Sequence, residues 1–288
     1  MSFSLIVSPA KRMEVVDGPP HASSQPRFRE EAARLAHAMR ELGYDGCKRL
    51  WRCSDELARL NYDRLLAEDP ADADDPTTTA AVVAYRGIQY QHLAPAVMDE
   101  RELDYLGRHL RILSGLYGVL RPFDGVVPYR LEMQAKLDVD GNKDLYAFWG
   151  DRIVRALAEE ADTIVNLASV EYAKAVTRHV GPRAGGGSQV GRGPGAGSGS
   201  HGGSVPDAGR GLRGEDEPRV LTCLFGEPLE DGRLRQRATE AKAARGTFVR
   251  WCAEQGVEDV GDLASFAERG YRLDEGRSDE GTLVFVRA

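Results

Sequence analysis

Short apolar runs, too brief for core helices, alternate along this chain with longer stretches whose apolar residues recur every three or four positions. A chain patterned in this way has to pair its strands into a sheet and lay its helices over the faces. Leu5-Ile6-Val7, stopped by Ser8-Pro9, reads as a buried first strand. Phe28, Ala32, Leu35, Met39 and Leu42 form one helical stripe, with Gly43 suited to the left-handed position behind it. Ser54 is placed to cap a second helix ahead of Asp55 and Glu56. Ala81 to Tyr85 is expected as a strand. Asp99 and Glu102 suit a capping box for a helix whose stripe is Leu103, Leu106, Leu110 and Leu113. Asp144 can open another, with Leu145, Phe148, Trp149, Ile153 and Leu157 inward. Thr163 to Leu167, Val220 to Phe225 and Thr282 to Val286 are further strands, and a helix is expected from Thr239 to about Gln255, with Gly256 behind it. The alternation is not a regular βαβ array. The expected class is therefore α/β with mixed α+β character: one domain over residues 1–288, a mixed β-sheet covered by helices.

One stretch breaks the pattern. Ala184 to Gly211 is dominated by Gly, Ser and Pro with almost no apolar anchors. Such a composition buries too little surface to offset the entropy of ordering it, so a disordered surface insertion is expected at 184–211. It lacks the Gly-Lys-Ser/Thr ending of a phosphate-binding loop and follows no strand. Glu68 to Asp75, acidic and interrupted by proline, reads as a solvated loop.

Net charge is −7, so the overall field does not steer the chain to nucleic acid, and any such binding needs a local basic face. Cys47, Cys53, Cys223 and Cys252 form no CxxC pair, and no histidine stands at finger-like spacing from two of them. No metal or other cofactor is expected, and the cysteines read as reduced thiols. Met1 to Lys11 is not patterned as a signal peptide, and no apolar run is long enough to span a membrane, so the expected location is cytoplasmic.

Three segments could carry chemistry. Ser8-Pro9-Ala10-Lys11 follows a strand and could hold a phosphate on its backbone N–H groups, or be a strand terminator with a solvated lysine. Leu110 to Arg130 reads as a helix entering a Ser114-Gly115-Leu116-Tyr117-Gly118 turn. From Arg108 to Arg130, Arg108, Arg111, Arg121 and Arg130 stand against Asp124 alone. The arrangement resembles a helix-hairpin-helix, although two residues separate its glycines where that motif has one; the alternative is a tight turn with arginines reaching solvent. Arg233 to Arg250 holds Arg233, Arg235, Arg237, Lys242, Arg245 and Arg250 against Glu240 alone, with Lys242 and Arg245 on one helix face. No catalytic constellation emerges, and the six histidines are scattered.

Together these residues resemble the YaaA family of bacterial peroxide-stress proteins. Ser8 to Lys11 looks like its opening motif, and LRILSGLYGVLRPFDGVVPYRLEM, Leu110 to Met133, like its longest signature. KDLYAFWGD (Lys143 to Asp151), NLASVEY (Asn166 to Tyr172) and KAARGTFVR (Lys242 to Arg250) are similar to three more, in order. Two features depart from the pattern. Tyr85-Arg86-Gly87-Ile88-Gln89-Tyr90 has Ile88 where the family carries an acid, and the Gly-rich insertion replaces a compact stretch. The resemblance implies protection against hydrogen peroxide, an association with lowering free intracellular iron, and a positively charged cleft with a helix-hairpin-helix that binds DNA. The residues expected to carry DNA binding are Lys11, Arg111, Gly115, Tyr117, Gly118, Arg121, Arg130, Lys242, Arg245 and Arg250. Recognition should follow DNA shape more than sequence, since these groups address phosphates. The alternative is an enzyme acting on a phosphorylated or nucleotide substrate through Lys11, Arg121, Arg130 and Lys242.

Overall fold

The computed structural model describes residues 2–72, 78–181 and 217–287. The Gly-rich stretch at 184–211, expected as a disordered insertion, lies outside the described residues. The main sheet has eight strands: β1 (Phe3–Val7), β2 (Leu110–Ser114), β3 (Gly118–Leu120), β4 (Thr163–Asn166), β5 (Arg219–Pro228), β6 (Leu234–Arg235), β7 (Tyr271–Leu273) and β8 (Thr282–Arg287). Their order is β7-β8-β5-β4-β1-β2-β3, with β6 paired to the end of β5. The five strands from β8 to β2 are mutually parallel, whereas β3, β6 and β7 are antiparallel to their neighbours. This is the mixed sheet that the sequence suggests.

Burial explains the central strands. Every residue of β1, β2 and β4 is buried, as expected where helices cover both faces of parallel strands. The helices are α1 (Arg29–Glu41), α2 (Gly43–Trp51), α3 (Asp55–Ala67), α4 (Ile88–Leu93), α5 (Glu100–His109), α6 (Leu145–Trp149), α7 (Arg152–Ala158), α8 (Val170–Thr177) and α9 (Ala238–Gln255). The caps fall where the side chains allow them. Asp99 and Glu102 complete a reciprocal capping box on α5, and Asp144 accepts from Ala147 N–H at 3.0 Å on α6. Gly150, with φ +51°, divides the expected single helix after Asp144 into α6 and α7. None of the helices among the described residues is long and apolar enough to cross a membrane.

The topology has one reversal. The chain runs from β1 to β2 on one side, and the next parallel strand, β4, returns on the other side of β1. Such a switch leaves a crevice outside the carboxyl ends of the two strands, where open α/β sheets hold ligands.

Two expectations are corrected. The helix-hairpin-helix at Leu110 to Arg130 is a β-hairpin: β2 and β3 pair antiparallel, with Ser114 opposite Gly118. Helix α5 ends at His109, and Leu110 and Leu113 continue in an extended strand buried on both faces. Ala81–Ala84, expected as a strand, is a helical turn, with Thr79–Ala80 and Tyr85–Arg86 forming short ladders on either side.

Candidate functional site

The crevice between β1 and β4 opens into a cavity of about 510 Å³. Its floor is set by two serines, each just beyond a strand. Ser8 Oγ accepts from Ser169 N–H at 2.8 Å and donates to Ser169 Oγ at 3.2 Å. Ser169 is the N-cap residue of α8, yet its hydroxyl makes no cap. The positive end of α8 therefore faces the crevice without its usual side-chain acceptor. Tyr90 OH donates to Ser8 O at 3.0 Å and locks the turn after β1. On the opposite wall Tyr129 OH lies 2.6 Å from Ser114 Oγ and 2.8 Å from Tyr85 OH, tying the loop after the hairpin to the end of β2. Burial pushes the Tyr129 phenol up to about 12 and those of Tyr85, Tyr90 and Tyr172 well above their ordinary value, so all four stay neutral.

The charge here opposes that of the whole chain. Lys11, Arg12, Arg86, Arg130, Lys242 and Arg245 line the cavity against two carboxylates, Glu132 and Glu171. These cations come from four separate parts of the sequence. Helix α9 reaches the site because it packs on α4 at Gly246, where a Cβ would overlap the carbonyl oxygen of Gln89. Lys242 lies one turn earlier on the helix and Arg245 is the residue just before. Lys11 Nζ pairs with Glu132 at 2.9 Å, and Arg130 stands 3.7 Å from the same carboxylate. Arg12 and Arg86 share Glu14, each at 2.9 Å. Among the described residues no ion pair reaches Lys242 or Arg245. The Nε atoms of Arg130 and Arg245 are buried with no hydrogen-bond partner. Burial pulls the Arg245 guanidinium below its ordinary range. Burial also holds the Glu171 carboxyl above its ordinary range, although it accepts from Gln134 N–H.

The residues singled out in the sequence separate into four places. Lys11, Arg130, Lys242 and Arg245 meet in this cavity. Arg111 and Arg121 lie near the amino ends of the parallel strands, both on Glu160. Arg111 Nε donates to it at 2.5 Å and Arg121 at 3.0 Å, and Arg111 also donates to the carbonyls of Gly107 and Leu110. Burial would raise the Glu160 carboxyl, but the two guanidinium groups hold it below its ordinary range. Arg250 pairs with Glu254 at 2.6 Å, about 12 Å along α9 from Lys242. Gly115, Tyr117 and Gly118 are buried in the hairpin. Gly115 O accepts from Trp149 Nε1 at 3.0 Å, and Tyr117 OH accepts from Val127 N–H at 3.3 Å.

Arg12, Arg86, Tyr90, Tyr129, Ser169, Glu171 and Tyr172 also line the cavity and were not singled out. Ser169, Glu171 and Tyr172 belong to NLASVEY, and Arg86 and Tyr90 flank Ile88, which itself lines the cavity. The usable signal was position: polar residues just beyond an apolar run mark the carboxyl ends of strands.

The chain matches the family model described as peroxide stress protein YaaA over residues 3–184 and 210–277, and the break falls on the Gly-rich stretch. It is 38% identical to a UPF0246 protein of Pediococcus pentosaceus over 99% of this chain and 98% of that protein. Similar proteins, each 38% identical over 99% of this chain, occur in Desulfitobacterium hafniense, where 98% of the relative is covered, and Lactiplantibacillus plantarum, where 99% is. Both are also UPF0246 proteins.

Proposed function

Since this chain belongs to the YaaA family of peroxide stress proteins, we propose that it serves in that response by binding nucleic acid, with phosphates held in the cleft between β1 and β4. One observation carries this reading. Six cations drawn from distant segments converge on two carboxylates, in a chain whose net charge is −7. A folded protein concentrates like charge in this way where a polyanion relieves the repulsion. The buried Nε groups of Arg130 and Arg245 are donors awaiting an acceptor. Contacts to phosphate carry no base identity, so binding should follow the shape and strandedness of DNA. Among the described residues no group of three or more His, Cys, Asp or Glu could hold a metal ion.

The test is a titration of DNA at several salt concentrations. Neutralising about 5 phosphates gives a log–log slope of about −4.5. Lys242→Ala should weaken binding to every sequence alike and flatten the slope by about one unit. Affinity independent of salt would sink the polyanion reading. A second reading, an enzyme acting on a phosphorylated or nucleotide substrate, is favoured by one feature. The cavity has the dimensions of a small-molecule site, about 300–1,000 Å³, and holds in Glu171 a carboxyl with a raised affinity for its proton. Turnover of a nucleotide by the purified chain would favour it.

A further inference from the structure

We infer that the cavity binds a phosphomonoester, the doubly charged phosphate on a single nucleotide, more tightly than the phosphodiesters inside a strand. The inference rests on the nucleic-acid reading and names the chemical group that enters the site. Size is the first argument. About 510 Å³ is room for one nucleotide, and neither a duplex nor several stacked nucleotides can enter. A strand can therefore place one residue in the cavity while the rest of it runs outside.

Charge is the second argument. The exposed cations at the rim already have partners: Lys11 has Glu132, and Arg12 and Arg86 share Glu14. Lys242, Arg245 and Arg130 are different. The first two have no ion pair among the described residues, and Arg130 only the distant, shared Glu132. The Nε atoms of both arginines are buried and unpaired. An internal diester brings one negative charge, which leaves most of this set uncompensated. A monoester brings about two and offers three unesterified oxygens, enough acceptors for both guanidinium groups together.

The third argument is the floor. Because Ser169 turns its hydroxyl to Ser8, the first turn of α8 lacks a side-chain acceptor at the point where the turn after β1 ends. A phosphate oxygen is an acceptor suited to that position. Tyr90, Tyr129 and Tyr172, all neutral and all on the wall, supply aromatic surface for the attached nucleoside.

A phosphomonoester reaches such a site from two sources, the 5′ end of a strand or a free nucleoside monophosphate. Fluorescence anisotropy with the full chain separates them. Two single strands of one sequence, labelled at the 3′ end, carry either a 5′-phosphate or a 5′-hydroxyl. We expect the phosphorylated strand to bind about tenfold more tightly, and a nucleoside 5′-monophosphate, but not the nucleoside, to compete for the difference. Lys242→Ala, at an exposed position where folding is not at risk, should bring the ratio of the two affinities toward one; Arg245→Gln should do the same. Equal affinities for the two strands, or a ratio untouched in Lys242→Ala, would overturn the inference while leaving DNA binding intact. Direct binding of the nucleoside monophosphate, read by titration calorimetry, with no binding of either strand would support the phosphomonoester site and refute the nucleic-acid reading. No binding by any of these probes would refute both.

Discussion

Arg111→Met separates architecture from recognition. Arg111 was expected to meet DNA, but its side chain is 8% exposed and its charge is spent on Glu160, itself 23% exposed. Removing one partner of a buried ion pair costs about 3–5 kcal/mol, because the other charge is left without compensation. Here the loss belongs at the low end, about 3 kcal/mol, since Arg121 still holds Glu160 at 3.0 Å. With a urea dependence of about 3 kcal/mol per molar, the unfolding midpoint should fall by about 1 M. Adding Glu160→Gln removes the stranded charge, and the double variant should recover at least about 1 kcal/mol relative to additivity. DNA affinity per folded molecule should not change in either variant, because the pair lies near the amino ends of the parallel strands and the cleft lies beyond their carboxyl ends. A midpoint that moves by less than about 0.3 M, or a stable variant that no longer binds DNA, would refute this division of labour.

Other perturbations test other parts of the argument. Gly118→Val forces a branched residue to φ +70° and its Cβ to 2.9 Å from the Trp149 ring. Strain of about 1–2 kcal/mol and overpacking of about 1–3 kcal/mol should together lower the melting temperature by roughly 10 °C; an unchanged melting curve would show that the hairpin tolerates a side chain there. Glu132→Gln releases Lys11 and Arg130, so binding of a phosphorylated strand at low salt should tighten by roughly 1.5- to 5-fold, and weaker binding would show that Glu132 is needed for the cleft's shape. Glu171 has a folded-state carboxyl held above its ordinary 4.5, so the folded chain binds more protons than the unfolded one above that pH. Its contribution to stability is present at acid pH and is lost as pH rises through the folded value. Glu171→Gln should therefore gain stability relative to the parent on going from about pH 4.5 to neutrality, and an offset constant with pH in urea titrations would contradict this.

Periodicity made much of the fold legible. The stripe of α1, the capping box of α5, the run of β1 and the extent of α9 follow from apolar spacing and caps. The hairpin did not. Leu103, Leu106, Leu110 and Leu113 keep helical spacing across the boundary between α5 and β2, and a strand buried on both faces shows no alternation to betray it. The site was half legible for a related reason. Local clusters of basic residues mix cations that the fold sends to opposite ends of the sheet. Arg121 and Arg130 are near neighbours in sequence, yet one meets Glu160 and the other faces the cavity. Pairing over long sequence separation, such as Arg111 with Glu160, leaves no trace in the arrangement of either segment.

The placement of α9 has a consequence for how the protein comes into being. As the chain leaves the ribosome, β1, β2 and β4 with their helices emerge first, and the two serines of the floor can meet before any of the residues beyond 217 are made. Lys242 and Arg245 arrive only with the last quarter of the chain, after β5 has paired alongside β4. A nascent or prematurely terminated chain thus carries the crevice without the two cations that have no ion pair among the described residues, and competence to capture an anion is acquired late, when synthesis is nearly complete.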